Sequence, residues 1–440
     1  MEEIKKVAFL TLGCKTNQYE TNGMMQKFIE AGYKICDLQE KPDIYVVNTC
    51  TVTNIADRKS RQSLRRIKEK NDTVVVAVGC YAQVAKEQLE NMPEIDIVLG
   101  NKEKKDIVKF VERFLQKRND NKEKNTPIIE VADISKQKEF DEYGCITYTE
   151  RARTEIKIQD GCNNFCTYCL IPYARGRIRS RNKENVLKEV SDIAKSGIKE
   201  IVLTGIHIAS YGKDFEEEYR LIDLLEDLNK IEGIERIRLG SLEPTIITEE
   251  FAKRLSKLQK ICNHFHLSLQ SGCNETLKRM NRKYTTEEFK QVTERLRKYF
   301  KDVNLTTDII VGFPGETEEE FNITYNFLKD IKFYKMHVFK YSKRDGTIAA
   351  KMPDQIDGSI AEERSRKLIE LSEKNMKVYN EKYIGKEVEV LFEEKQSDFW
   401  VGHTRNYMLV KTKSKENLEN VIRHIIIKEV NSEELLGKNW

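Results

Sequence analysis

Along the first hundred residues, short apolar runs alternate with segments of helical spacing. Residues 6–12 (KVAFLTL), 44–47, 74–78 and 95–99 are strand-length and almost continuously apolar. Between them, 22–31 carries Met24, Met25 and Phe28 at helical spacing, 55–70 reads as a polar, basic helix, and 106–115 is again helical. Strands without a polar face, alternating with helices, predict a doubly wound parallel sheet covered on both sides. The charged stretch 117–125 (KRNDNKEKN) has no periodicity and predicts a linker. The first domain is therefore expected over residues 1–125, with the boundary region running to 148.

Alternation then resumes. Strands are predicted over 155–159, 200–204, 236–241, 264–270, 305–312 and 334–341, with helices such as 186–194, 221–231 and 287–299 between them. Six βα units in about 200 residues imply a barrel, complete or partial. These strands differ from the first set, because one face is polar. His264, His266, Ser268 and Gln270 share a face, as do Lys157 and Gln159, Arg236 and Arg238, and Asn304, Thr306 and Asp308. With the apolar face against helices, the polar face points into the barrel. Closed eight-stranded barrels are filled with aliphatic layers, so a polar interior predicts an open, partial (βα)6 barrel around a polar ligand, over residues 145–375. A long charged helix over 361–381 leads to short strands over 386–392, 400–403, 407–411 and 422–430. This all-β module, residues 376–440, has the size of small barrels that often bind oligonucleotides.

Composition narrows the class. The chain has 440 residues, with 39% hydrophobic and 34% charged, which excludes a disordered protein. Its 76 Lys and Arg nearly balance 72 Asp and Glu. The apolar runs are too short to span a bilayer, and the first residues carry no signal-peptide pattern. A cytoplasmic protein without a membrane partner is expected. There, ten cysteines point to metal ligation or redox chemistry rather than disulfides.

Two sets of cysteines stand out. Cys162, Cys166 and Cys169 form a C-x3-C-x2-C run directly after the first barrel strand, in a loop marked by Gly161, Asn163 and Asn164. Three thiolates in eight residues suit one [4Fe–4S] cluster with an iron left open, whereas structural zinc takes four ligands. Cys14, Cys50 and Cys80 each follow the end of a predicted strand. That edge is where parallel sheets bind ligands, so the three can converge. For Cys36, Cys145, Cys262 and Cys273 the expectation is core or loop packing.

The first set, with Tyr168 before its last cysteine, resembles the signature of the radical S-adenosylmethionine (SAM) superfamily. With residues 11–14 (TLGC), 48–50 (NTC), 78–80 (VGC), 203–212 (LTGIHIASYG), 241–244 (SLEP), 266–272 (HLSLQSG) and 308–316 (DIIVGFPGE), the whole chain resembles the methylthiotransferases of that superfamily. The resemblance implies two [4Fe–4S] clusters, one on Cys162, Cys166 and Cys169 that cleaves SAM, and an auxiliary one on Cys14, Cys50 and Cys80. It implies a C-terminal TRAM-like domain. Residues 158–162 (IQDGC), 172–176 (PYARG) and His207 are most similar to the MtaB type, which acts on N6-threonylcarbamoyladenosine in tRNA. The implied activity is transfer of a methylthio group to C2 of that nucleoside next to the anticodon. Sibling branches act on isopentenyladenosine or on a ribosomal-protein aspartate. The sulfur and electron donors are not readable from the sequence. An aromatic C–H bond has no useful acidity, so no general base is expected.

By position at strand ends, Gly205, Glu243, Gln270 and Gly312 are candidates for SAM contacts, beside Tyr168; His207 reads as a hydrogen-bonded core histidine. Arg175, Arg177, Arg179 and Arg181 alternate just after the cluster loop. In an extended segment they would form one row of phosphate donors for RNA. The basic helix, with Arg58, Lys59, Arg61, Arg65, Arg66, Lys68 and Lys70, is a second RNA candidate. A target base must leave its stack to reach a buried site, which favours a loop nucleotide such as one in the anticodon loop.

Overall fold

The computed structural model describes residues 4–68, 73–120, 126–144, 146, 152–431 and 433–438. Cys145, and Lys70 of the basic helix, lie outside these residues. The chain folds into three layers of architecture in sequence order.

The first is a six-stranded parallel sheet in the order β2-β1-β3-β4-β5-β6. Its strands are β1 (Lys6–Thr11), β2 (Lys34–Ile35), β3 (Ile44–Thr49), β4 (Val74–Gly79), β5 (Ile97–Leu99) and β6 (Ile128–Glu130). The continuous apolar runs are explained by two cores. In β4, Val74, Val76 and Val78 join one apolar cluster, while Val75 and Ala77 join another on the opposite face. Residue alternation in a strand makes this unavoidable. Two features depart from the sequence reading. β6 pairs in parallel with β5 at Ile97↔Ile128, so the sheet runs past residue 125. The first helix, Lys15–Glu30, begins well before residue 22, because its first turns bury mainly polar groups, Thr16, Asn17, Glu20 and Thr21, with Tyr19 alone joining the apolar core.

The second layer contains β7 (Arg153–Asp160), β8 (Arg179–Ser180), β9 (Glu200–Gly205), β10 (Arg236–Leu239), β11 (His264–Gln270), β12 (Asn304–Val311) and β13 (Lys335–Lys340). One sheet runs β10-β9-β7-β8 and another β11-β12-β13. Parallel bridges Ile237↔Ile261 and Leu242↔Leu267 join them. The result is a six-stranded parallel wall open between β7 and β13, with β8 as a short antiparallel addition. Ile156, Ile158, Leu203, Phe265, Leu267 and Leu269 pack outward into the helical layer. The alternate residues face the interior, as the polar stripe predicts.

Helix Gly358–Glu381 leads into a closed barrel of β14 (Glu387–Gln396), β15 (Phe399–Thr404), β16 (Leu409–Lys413), β17 (Ile422–Val430) and β18 (Glu434–Lys438), in the order β14-β15-β16-β18-β17. This barrel docks on the second layer through buried arginines of β10. Arg236 donates to His403 O at 2.9 Å and to Glu389 Oε1 at 2.7 Å; Arg238 donates to Arg405 O at 3.2 Å. Tyr407 stacks on both His264 and His403. Among the described residues no helix is long and apolar enough to cross a membrane.

Candidate functional site

The strand-end cysteines are brought together by glycines. Gly13 has φ +106°, and a Cβ there would sit 2.7 Å from both Cβ and Sγ of Cys50. Only glycine lets the Cys14 loop close onto the Cys50 loop. Burial, with smaller contributions from the neighbouring Cys80 and Cys14, pushes the Cys50 thiol up to about 12. The Val52 N–H donates to Cys50 Sγ at 3.5 Å, and Arg175 Nε donates to Cys80 Sγ at 3.1 Å. Cys14 is open to solvent-sized space, whereas Cys50 and Cys80 are buried.

The second set has the same construction. Gly161, at φ +70°, ends β7; a Cβ there would fall 1.8 Å from Arg177 O. That turn launches the loop of Cys162, Cys166 and Cys169. The N–H of Asn164 donates to Cys162 Sγ at 3.5 Å, that of Ile171 to Cys169 Sγ at 3.4 Å, and Arg282 Nη1 to Cys166 Sγ at 3.4 Å. Burial raises the Cys162 thiol to about 11 and Cys169 to about 12, with Cys166 adding to both. Thiols so placed become thiolates only against strong positive charge, which iron provides. Among the described residues no three His, Cys, Asp or Glu side chains close tightly enough around a single ion. A four-iron cube spreads its ligands more widely than one ion does, and all-thiolate donor sets favour iron–sulfur clusters. The donor set of Cys162, Cys166 and Cys169 therefore fits a [4Fe–4S] cluster.

Glu243 is not a solvated loop carboxylate. It accepts from His207 Nε2 at 2.8 Å and from Asn164 Nδ2 at 3.1 Å, with Arg282 3.8 Å away. Burial alone would raise its carboxyl, but His207, Arg282 and Asn164 together hold it below the usual glutamate range. His207, whose ring also meets Ser210, thus ties Glu243 to the cluster loop rather than filling a core. Tyr168 packs edge-on against Phe313, with ring centroids 6.3 Å apart. Gly205 lines a cavity of about 580 Å³ in the barrel interior, together with Cys14, His264, His266, Thr306 and Asp308. Gln270 ends β11 in a left-handed conformation, φ +74°. The space beside Gly312 is taken by Ala361, whose Cβ lies 2.7 Å from where a side chain would start. That glycine admits helix Gly358–Glu381.

The arginine row is corrected. Arg175, Arg179 and Arg181 are among the most deeply buried side chains of the protein. Arg175 pairs with Glu20 and Asp160, Arg179 reaches Asp160 at 3.5 Å, and Arg181 pairs with Glu142 at 2.8 Å and with Glu189. The segment is extended only over β8; before it, Arg175 meets Glu20 of the first helix of the N-terminal sheet, and Tyr19 of that helix donates to Glu189, the partner of Arg181. The charges serve as a brace between layers. Only Arg177 is exposed, with its guanidinium 4.5 Å over the Phe165 ring. On helix Asn54–Lys68, Arg58, Lys59, Arg65 and Arg66 are exposed, while Arg61 donates to the Tyr81 hydroxyl at 2.7 Å. Arg282 escaped the sequence reading because it lies far along the chain from Cys166 and in no cysteine motif.

Residues 156–328 match the family described as the radical SAM superfamily, and 6–100 match the one described as uncharacterized protein family UPF0004. In fold, the chain is similar to the radical SAM methyltransferase TsrM of Kitasatospora setae, at TM-score 0.57 and 16% identity over 76% of this chain and 72% of that one. The open parallel barrel and its three-cysteine loop make this a radical-SAM protein. SAM and a [4Fe–4S] cluster are the cofactors that class implies. The chain is 45% identical, over 94% of its length and 91% of the relative's, to threonylcarbamoyladenosine tRNA methylthiotransferase MtaB of Bacillus subtilis (strain 168). It is 35% identical, over 99% and 96%, to tRNA-2-methylthio-N(6)-dimethylallyladenosine synthase of Clostridium novyi (strain NT). The chain belongs to the radical-SAM tRNA methylthiotransferase family.

Proposed function

We propose that the protein transfers a methylthio group to C2 of N6-threonylcarbamoyladenosine in the anticodon loop of tRNA, using a second [4Fe–4S] cluster on Cys14, Cys50 and Cys80. The observation that supports this is that each cysteine set receives a backbone N–H and an arginine on its sulfurs: Val52 and Arg175 for the first, Asn164, Ile171 and Arg282 for the second. The higher identity to the MtaB relative than to the dimethylallyladenosine synthase favours the threonylcarbamoyl substrate. When bound, SAM and the clusters supply the radical and sulfur chemistry that side chains lack.

The chain's own residues position and exclude. Asn164, His207 and Glu243 form a fixed polar group beside the cluster loop, suited to the hydroxyl and amino groups of SAM. Gly205 leaves backbone accessible at the cavity wall, and Gln270 stands at the neighbouring strand end. Arg282 and Arg175 each donate to one ligating sulfur, which favours the thiolate form. Phe165 lies edge-on to Tyr173, with centroids 5.9 Å apart, and Tyr173 is half exposed. With Arg177 above Phe165, this is a stacking platform for an unpaired base beside the reaction site.

Nucleoside mass spectrometry of tRNA from a strain lacking the gene tests the function. The 2-methylthio-N6-threonylcarbamoyladenosine signal should vanish and its unthiolated precursor accumulate. Unchanged methylthio-adenosines would refute the reading, and loss of the isopentenyl derivative would move the protein to the sibling branch.

The exposed face of helix Asn54–Lys68 is the proposed phosphate track. Charge reversal of Arg58, Arg65 and Arg66 is expected to raise the KM for tRNA while leaving kcat nearly unchanged. Each lost phosphate contact should flatten the slope of log affinity against log salt by about 0.7–0.9. Filter binding over a salt series measures this, and an unaltered slope would make the helix an ordinary solvated face.

A further inference from the structure

Lys15 directly follows Cys14, opens helix Lys15–Glu30 and lines the cavity of about 580 Å³ in the barrel interior. Its electrostatic neighbours are Tyr407, Arg153, Glu155 and Arg238. The two arginines already have acids of their own: Arg153 has Glu393 at 3.3 Å, and Arg238 has Glu200 at 2.8 Å. Among the described residues no carboxylate forms an ion pair with Lys15. A second group in the same cavity is also unsatisfied, since buried Nδ1 of His264 has no hydrogen-bond partner while Nε2 meets Thr306. The start of the helix adds to the imbalance, because no side chain caps its first N–H groups. Lys15 is exposed at the cavity and holds no ion pair among the described residues, so its ammonium is free to meet an anion that enters.

We propose that Lys15 binds the carboxylate of the threonylcarbamoyl group of the target nucleoside and is the residue by which the enzyme selects that substrate over an isopentenyl one. The proposal rests on the substrate reading above. The two nucleosides differ in what they bring into the cavity. The threonylcarbamoyl group carries an anion and hydrogen-bonding oxygens; the isopentenyl group is apolar. An apolar group would leave the buried Nδ1 of His264 unpaired and bring no anion to Lys15, and a site with an unsatisfied buried polar group disfavours such an analogue. The position beside Cys14 is the reason this residue can act at all. Whatever approaches the auxiliary cysteine passes the next side chain in sequence.

The test uses the full-length protein and synthetic anticodon stem-loops bearing N6-threonylcarbamoyladenosine, its carboxamide, or isopentenyladenosine. Binding is followed by fluorescence anisotropy. The wild type should bind the acid at least about tenfold more tightly than the carboxamide, as charge-assisted hydrogen bonds predict. Lys15→Met should bind both alike, and Lys15→Arg should restore part of the preference. The ratio is read within each variant, so a general loss of RNA affinity does not mimic the effect. A wild type indifferent to acid and carboxamide, or a Lys15→Met variant that keeps the preference, overturns the proposal; either result would hand Lys15 to another anion, such as sulfide at the auxiliary site. A wild type that methylthiolates only the isopentenyl stem-loop would instead overturn the substrate reading.

Discussion

Replacing Cys14, Cys50 and Cys80 together with alanine is expected to remove about half the iron of the anaerobically reconstituted enzyme, from about eight atoms per chain to about four. SAM cleavage to 5′-deoxyadenosine should continue, and methylthiolated nucleoside should disappear. The expectation follows from the largely different supports of the two sites, although Arg175 from the helix after the cluster loop also reaches Cys80 Sγ. The loop of Cys162, Cys166 and Cys169 is supported by the N–H groups of Asn164 and Ile171 and by Arg282, all from the barrel layer. Cys14 and Cys50 are set by Gly13 and by the N–H of Val52, in the N-terminal sheet. The mirror variant, lacking Cys162, Cys166 and Cys169, should also keep about four irons but form neither 5′-deoxyadenosine nor product. Iron analysis and chromatography of the SAM products separate these outcomes. An unchanged iron content in the first variant would show that Cys14, Cys50 and Cys80 hold no cluster.

Much of this architecture is legible because burial imposes a pattern on the sequence. β4 is apolar at every position since it faces a core on each side, and β11 alternates His264, His266 and Ser268 with Phe265, Leu267 and Leu269 since one face meets the cavity. The cysteines are legible by placement, each behind a strand. Polar burial is far less legible. Glu20, Lys104 and Arg175 carry no apolar signature, yet all three are buried. Their partners come from two different layers, so only the folded contact reveals that Arg175–Arg181 braces the interior rather than greeting RNA. The early start of helix Lys15–Glu30 was hidden for the same reason. β6 is a short edge addition, and β18 a short strand closing the barrel between β16 and β17; the pairing of each depends on neighbouring strands more than on its own residues.

The brace itself gives the second large expectation. Glu20 Oε1 accepts from Lys157 Nζ at 2.7 Å, Oε2 accepts from Lys104 Nζ at 2.5 Å, and Arg175 donates to both oxygens, at 3.0 Å to Oε2. Burial by itself would raise this carboxyl, but the charges of Arg175, Lys104 and Lys157 outweigh it and hold Glu20 well below the usual range. Glu20→Gln leaves Asp160 as the carboxylate among Lys104, Lys157, Arg175 and Arg179. Removing one partner from a buried ion pair typically costs about 3–5 kcal/mol, because the opposite charges stay buried and uncompensated. For the two layers that the brace joins, the melting temperature should fall by at least about 4 °C. The pH dependence has a definite sign. A carboxyl depressed in the folded state stabilises fully above its unfolded value of about 4.3, and that stability is lost as pH falls toward the depressed value. The gap between wild type and Glu20→Gln should therefore be constant from about pH 6 to 8 and shrink progressively in acid below about pH 5. Thermal melts across that range measure it. A gap under about 1 kcal/mol at neutral pH would mean that the network behaves like exposed ion pairs. It would also mean that Arg175 keeps its place beside Cys80 without Glu20.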